Sequence, residues 1–471
     1  MSARPGTSEN PLRVAVVGAG PAGFYAAEHL LKPEEVHVQV DMFDRLPTPF
    51  GLVRAGVAPD HPKIKSVIRM YEKTAAREGF RFFGGIEVGK HITAAELAER
   101  YHAVIYAYGT GTDRELGIPG EDLPGSHSAT EFVAWYNAHP DFADRTYDLS
   151  SERAVVIGNG NVAADVARML ALTRDELEGT DTADHAIDDL ADSGVREIVV
   201  VGRRGPAQAA FTNPEVRELG ELVDADIVID PTQCELDTVS REWLDSDDAD
   251  PTNRRNVEIF TDFSGRKPEG KRKRVVMKFL RSPVAIEGDG RVERIVLAVN
   301  ELQRDEGGAV RARDTGERET LECGLVLRSI GSRGRPLPGV PFDEARGLIR
   351  NDSGRVTTED GRAVPGEYAV GWIKRGPSGV IGTNKKDASE TVGKVVEDAE
   401  NGRLNEPELP DGDGIEDWLR ARVPGLVTWQ GWQAIDRHEV AQGEPHGRPR
   451  VKLVRVPHML AVAEQQLAPR P

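Results

Sequence analysis

The sequence predicts an α/β protein of two Rossmann-like units in three layers, the second unit inserted into the first. Three observations predict it. The glycine-rich run Gly18-Ala19-Gly20-Pro21-Ala22-Gly23 follows an apolar stretch at residues 14–17. A second run, Gly158-Asn159-Gly160-Asn161-Val162-Ala163, follows an apolar stretch at residues 154–157. Each stands where a buried strand turns into a helix, the context that separates a dinucleotide site from a chance match. The first glycine makes the bend, the second lets backbone approach a pyrophosphate, and the third position lets helix and strand pack. The helix N-terminus then offers N–H groups to phosphates. Finally, Leu325-Val326-Leu327-Arg328-Ser329-Ile330-Gly331, with Tyr368-Ala369-Val370-Gly371-Trp372, reads as a return to the first unit. Residues 1–110 and 331–471 then form one domain, and 111–330 the inserted one. Two dinucleotides meeting in one chain imply electron or hydride transfer.

The elements follow in order. Residues 14–17 are the first strand and 21–31 its helix. Residues 36–43 alternate like a strand and lead to Asp44, placed 21 residues after Gly23, where an acid reaches the ribose of the first nucleotide. Residues 64–76 read as one helix and 103–108 as a buried strand. The second glycine run opens a helix over 162–172. Residues 177–192 are acidic with helical spacing and read as an inserted segment. Residue 197 begins a strand that ends in Gly202-Arg203-Arg204-Gly205. Further strands are expected at 275–279, 294–299 and 325–330. Residues 402–414, rich in Pro and Gly, read as a linker, and a frayed end is expected from Gln465.

Composition narrows the function. A chain of 471 residues accommodates two or three domains with sizeable cores. The net charge of -18 argues against non-specific binding to nucleic acid or to anionic membranes. Cys234 and Cys323 are the only cysteines, too few to ligate an iron–sulfur cluster or form a C-x-x-C couple. A reducing compartment follows, and with no signal peptide or apolar span, a cytoplasmic location is expected. No metal site is expected.

Residues 47–62 read Pro-Thr-Pro-Phe-Gly-Leu-Val-Arg-Ala-Gly-Val-Ala-Pro-Asp-His-Pro. With the two glycine runs, Gly202–Gly205 and the segment from Gly371 to Asn384, this string closely resembles the adrenodoxin reductase family. These are ferredoxin–NADP⁺ reductases of the glutathione-reductase-like flavoproteins. The resemblance covers nearly the whole chain with its motifs in order. It implies FAD in the first fingerprint, at Gly18, Gly20, Ala22 and Gly23, with Asp44 on the ribose. The family usually carries Glu at this position; Asp keeps the charge with a shorter reach. Leu52, Val88, Trp372 and Gly379-Val380-Ile381 match flavin-contact positions. The resemblance implies NADP at Asn159, Gly160, Asn161 and Val162. Arg203-Arg204 stand where an NAD enzyme tends to have a carboxylate, and two guanidiniums suit a 2′-phosphate.

The same resemblance places His61 near the flavin and Glu215 near the nicotinamide. Glu215 and Asp165 are candidate acidic partners for His61, and the three are the candidate catalytic residues. Hydride transfer otherwise needs two rings held in place. The implied partners are NADPH and a ferredoxin, with the chain a monomer. Its acidic surface then needs a local basic face. Candidates are Arg217, Lys374-Arg375 and Lys385-Lys386 first, then Arg266-Lys267 with Lys271-Arg272-Lys273-Arg274, for which a solvated loop is the plainer account. That cluster lacks the interleaved aromatics of nucleic-acid binders. Competing functions are an NADPH-dependent reductase of quinones or other small acceptors, and a sensor that binds NADPH and FAD without turnover. A glutamate-synthase-type electron-input subunit is disfavoured by the missing cysteine-rich segment.

Overall fold

A computed structural model describes residues 5–32, 36–408 and 414–465. The linker expected at 402–414 therefore lies partly outside the described residues, as does everything after Gln465.

Two separate sheets organise the chain. The first has eight strands, in the order Asn351–Asp352, Arg355–Thr357, Ala363–Ala369, Ala103–Tyr106, Leu12–Val17, Val38–Asp44, Phe80–Gly84 and Val427–Thr428. Its central strands are parallel, and Leu12–Val17 is buried throughout. A strand covered on both faces reads as an unbroken apolar run rather than an alternating one. The helices Pro21–Leu31 and Thr383–Glu400 pack together on this sheet. A cluster around Phe24, Phe50, Tyr71 and Trp432 fills the layer beneath them.

The second sheet has six parallel strands, in the order Ser126–Ser128, Leu325–Arg328, Arg153–Ile157, Glu197–Val201, Lys273–Lys278 and Ala225–Ile229. A three-stranded antiparallel sheet, Arg281–Glu287, Arg294–Arg304 and Val310–Glu322, is built beside it. The run at 325–331 does not return to the first unit. Leu325–Arg328 pairs with Arg153–Ile157, so it completes the second sheet instead of returning to the first. Its apolar character reports burial, which both sheets offer equally. The chain crosses between the sheets at Thr112–Asp113 and Ser332–Arg333, which pair antiparallel.

Two further differences concern helices. Residues 62–75 form Pro62–Lys65 and Ile68–Ala75 instead of one helix, parted at Ser66 and Val67, where the Ser66 hydroxyl donates to the Lys63 carbonyl. A local side-chain bond of this kind competes with the helical ladder. The acidic insertion likewise forms two short helices, Arg174–Glu178 and Asp184–Ala191. Among the described residues no helix is long and apolar enough to cross a membrane.

Candidate active site

The first glycine turn is built by close backbone approach. Gly18 has φ +114°, and a Cβ there would lie 2.6 Å from the Ala107 carbonyl oxygen. A Cβ on Gly23 would lie 2.1 Å from the Gly18 oxygen. Only glycine fits either position. Gly20 differs: its nearest neighbour would be the Gly51 Cα at 4.0 Å, so its outer side is open. Ala22 is the second residue of the helix Pro21–Leu31 and touches the site of a Gly371 Cβ at 2.5 Å, which brings Trp372 beside the turn. Asp44 closes the end of its strand. Its Oδ2 accepts from the Ala19 amide at 2.9 Å and its Oδ1 from the Leu46 amide at 2.9 Å. The carboxylate thus ties the turn to the strand. Burial raises its pKa, and the two amides and Arg45 oppose the rise.

Phe50 and Gly51 close against this turn, and sequence reasoning did not single them out as site residues. Phe50 has φ +83°, a strained conformation for an aromatic residue, and its amide donates to Ala19. Packing of its ring against Phe24 and Trp432 holds it there. The adjoining Leu52 is 42% exposed, whereas Val88 is buried under the sheet. Gly379 has φ +78°, Val380 is 52% exposed, and Gly379, Val380 and Ile381 lead into the 18-residue helix that starts at Thr383. The Trp372 Nε1 is buried without a hydrogen-bond partner.

The second turn repeats the first with different fittings. Gly158 has φ +138°, and its Cβ would lie 2.1 Å from the Ser329 oxygen, whereas Gly160 meets nothing nearer than 3.9 Å. The Asn159 Nδ2 is buried without a partner. The Asn161 side chain accepts from the Thr212 amide at 2.8 Å, and Val162 stands exposed beside it. After the next strand, Arg203 is exposed and Arg204 half-buried, and neither forms an ion pair among the described residues. Burial, then the charges of Arg203 and Arg311, depress the Arg204 pKa. Arginines crowded without counter-charge suit an anion. Open second glycines, buried donors lacking acceptors and uncompensated guanidiniums fit two bound dinucleotides.

Between the cradles lies His61, on a loop of the first half that enters the second. The structure brings together all three candidate catalytic residues. His61 Nδ1 lies 3.7 Å from Glu215 and 3.9 Å from Asp165. Its direct bond goes elsewhere, from Nε2 to Glu218 at 2.7 Å. Neither Glu218 nor Arg168 was picked out from sequence. Arg168, 2% exposed, binds Asp60 at 2.8 Å, Asp165 at 3.0 Å, Glu215 at 2.9 Å and Glu218 at 3.2 Å. One signal was available: Asp165 and Arg168 share a helix face at i,i+3, as do Glu215 and Glu218.

The electrostatics follow from this packing. Burial disfavours charge on His61, but Glu218 overcomes it, with Glu215 and Asp165 assisting against Arg168, and the pKa rises. The bond to His61 holds Glu218 low. Burial lifts Asp165 well above the usual carboxylate range despite Arg168.

The basic candidates separate. Lys374 is buried, on Asp387 at 3.0 Å and Glu390 at 2.6 Å, and Arg375 bonds Asn384 at 3.0 Å. Lys374 therefore cannot serve a docking face, because its charge is already neutralised inside the fold. In the second cluster Arg266 pairs with Asp262, Arg272 with Asp224 and Arg274 with Glu197, while Lys273 is buried on the Leu170 carbonyl. Arg217, Lys385 and Lys386 are exposed and form no ion pair among the described residues.

Such a pair of cradles defines a flavin-dependent pyridine-nucleotide oxidoreductase. Residues 12–201 match the pyridine nucleotide-disulphide oxidoreductase family. The chain is 53% identical over 454 residues to the NADPH-ferredoxin reductase FprA of Mycobacterium leprae, covering 95% of this chain and 98% of that one. It is 42% identical to the mitochondrial NADPH:adrenodoxin oxidoreductase of Salvelinus fontinalis, covering 96% and 91%. The solved structure of Mycobacterium tuberculosis FprA in complex with NADPH superposes with TM-score 0.91 at 51% identity, over 97% of this chain and 100% of that one. The chain belongs to the adrenodoxin reductase-type ferredoxin–NADP⁺ reductases.

Proposed function

We propose that this chain is an NADPH–ferredoxin reductase that uses FAD. The observation that carries the reading is the meeting of two dinucleotide cradles at a buried charged junction, in a chain about half identical to FprA over its whole length. FAD, when bound, would supply the conversion between two-electron hydride chemistry with NADPH and one-electron transfer to an iron–sulfur partner.

The chain's residues supply position and charge. Residues 1–110 and 331–471 form the FAD half, and 111–330 the NADP half. Gly18, Gly20, Ala22 and Gly23 admit the FAD pyrophosphate, and Asp44 faces its ribose while bracing the turn. Leu52, Val88, Trp372, Gly379, Val380 and Ile381 wall the flavin, and the helix from Thr383 directs its positive end toward that wall. Asn159, Gly160, Asn161 and Val162 seat NADP, with Arg203 and Arg204 on the 2′-phosphate. His61, whose pKa the bond to Glu218 raises, favours positive charge at the junction, and Asp165 and Glu215 complete its setting.

Arg217, Lys385 and Lys386 supply positive charge for docking an acidic ferredoxin. At about 0.15 M salt the Debye length is roughly 8 Å, so nearby cations outweigh the distant acidic surface. The test is NADPH oxidation by FAD-loaded protein with and without a [2Fe–2S] ferredoxin. Ferredoxin-dependent turnover that falls steeply with salt, while a quinone acceptor responds little, is expected. Turnover with the quinone alone makes the chain a small-acceptor reductase, and no turnover with either removes the enzymatic reading.

A further inference from the structure

His61 sits on a loop that is fastened at both ends. Residues 60–65 leave the flavin half and meet the other half twice. At one end Asp60 takes Arg168 Nε at 2.8 Å and Nη2 at 3.0 Å. At the other, Lys65 Nζ donates to Asp181 Oδ1 at 2.6 Å. His61 is the N-cap of the single-turn helix Pro62–Lys65, so a displacement of Lys65 is passed directly to it.

Asp181 is buried within the acidic insertion, unlike the exposed Asp188 of the following helix. Its Oδ2 lies 3.2 Å from a second ammonium, Lys452. Lys452 also donates to the Arg54 carbonyl at 3.0 Å and to Asn137 Oδ1 at 3.2 Å. It comes from the irregular segment after helix Trp429–Gly443, a helix that packs on the flavin half. The same segment sends Arg448 onto Asp184 and the Thr180 and Thr182 carbonyls. One carboxylate thus gathers a cation from the loop of His61 and a cation from the C-terminal segment. Buried pairs add little net stability over apolar packing, and their better use is to fix one arrangement among several.

We propose that Asp181 is a positioning residue for the reductase reaction: through Lys65 and Lys452 it fixes His61 and the angle between the two nucleotide-binding halves. This rests on the reductase reading above. Hydride transfer is sensitive to misplacement of about 1 Å, and no contact of Asp181 itself reaches His61 among the described residues.

The test uses full-length, FAD-loaded protein carrying Asp181→Asn or Lys65→Met. Flavin reduction by NADPH, followed by stopped flow, is expected to slow on the order of 10- to 100-fold. FAD content and calorimetric affinity for NADP⁺ stay near the unmodified values. The long-wavelength charge-transfer absorbance of reduced protein with NADP⁺ weakens, and Lys65→Arg restores it. Variants that melt earlier but keep the rate and the absorbance overturn the proposal. Should Asp181→Asn shed FAD, Lys65→Met decides, since Asp181 then keeps Lys452. Hydrogen exchange on unmodified protein is a separate arm: amides at 61–66 and 180–184 should open together, and independent opening of 61–66 overturns the proposal. Unmodified protein that fails to oxidise NADPH counts against the reductase reading, and the exchange arm still judges the fastening.

Discussion

The two glycine turns share a plan and differ in how each is completed by the strand after it. Both begin 11-residue helices with no side-chain cap, leaving their first amides available to phosphate. In the first, the helix presses so close that Gly23 admits no Cβ; in the second, fully buried Ala163 takes that place. The first ends its next strand in Asp44, which is drawn into the turn's own hydrogen bonds. The second follows its next strand with Arg203-Arg204, which form no ion pair among the described residues. One turn is therefore braced from within, and the other keeps its charge for a ligand. The difference suits the proposed assignment of FAD to the first turn and NADP to the second.

The largest effect is expected from adding a methyl group to each turn. Gly23→Ala is expected to abolish FAD retention, because its Cβ would overlap the Gly18 oxygen at 2.1 Å. Overpacking of this kind costs about 1–3 kcal/mol or more. Gly158→Ala is expected to abolish NADP⁺ binding while the protein stays yellow. Flavin absorbance and calorimetric titration with NADP⁺ check both, and equal loss of both cofactors from Gly158→Ala would deny that the cradles are separate.

Next come the arginines. Arg203→Ala and Arg204→Ala should each weaken use of NADPH by about 1–3 kcal/mol, the worth of a charged hydrogen bond. Steady-state kinetics with NADH should scarcely change. If both nucleotides suffer alike, the pair does not read the 2′-phosphate.

His61→Gln tests the junction between the turns. Flavin reduction by NADPH is expected to slow with FAD still bound, and an unchanged stopped-flow rate would leave His61 without a part in the reaction.

The smallest expected effect is on pH dependence. The folded pKa of His61 is raised above its unfolded value near 6.5. Its stabilisation is therefore complete below that value and lost as pH rises through the folded pKa. Glu218→Gln removes the main interaction raising it, so the loss should begin at lower pH. Melting temperature against pH for both proteins checks the direction, and superimposable profiles would show that Glu218 does not hold the proton.

Much of this was legible because it is local. The turn glycines, the Pro21–Leu31 helix and the string at 47–62 each encode backbone geometry within a few residues. The place of Leu325–Arg328 was not, because apolar strands of two buried sheets look alike and only pairing tells them apart. The freedom of Lys374 was misjudged for a related reason. Its neighbours Asp387 and Glu390 stand one helix later, and whether they fold back onto it is a matter of packing.

Short runs of sequence were enough for the class of fold and the two glycine turns, since each follows from fixed backbone demands. Which carboxylate pairs with His61 was settled by tertiary packing alone. Glu218 is 157 residues away, beyond Arg168, and both reach the loop only when the two halves close on it. Local sterics select turns and helices residue by residue. Buried charges find their partners through the packing of whole elements, which no short stretch of chain contains.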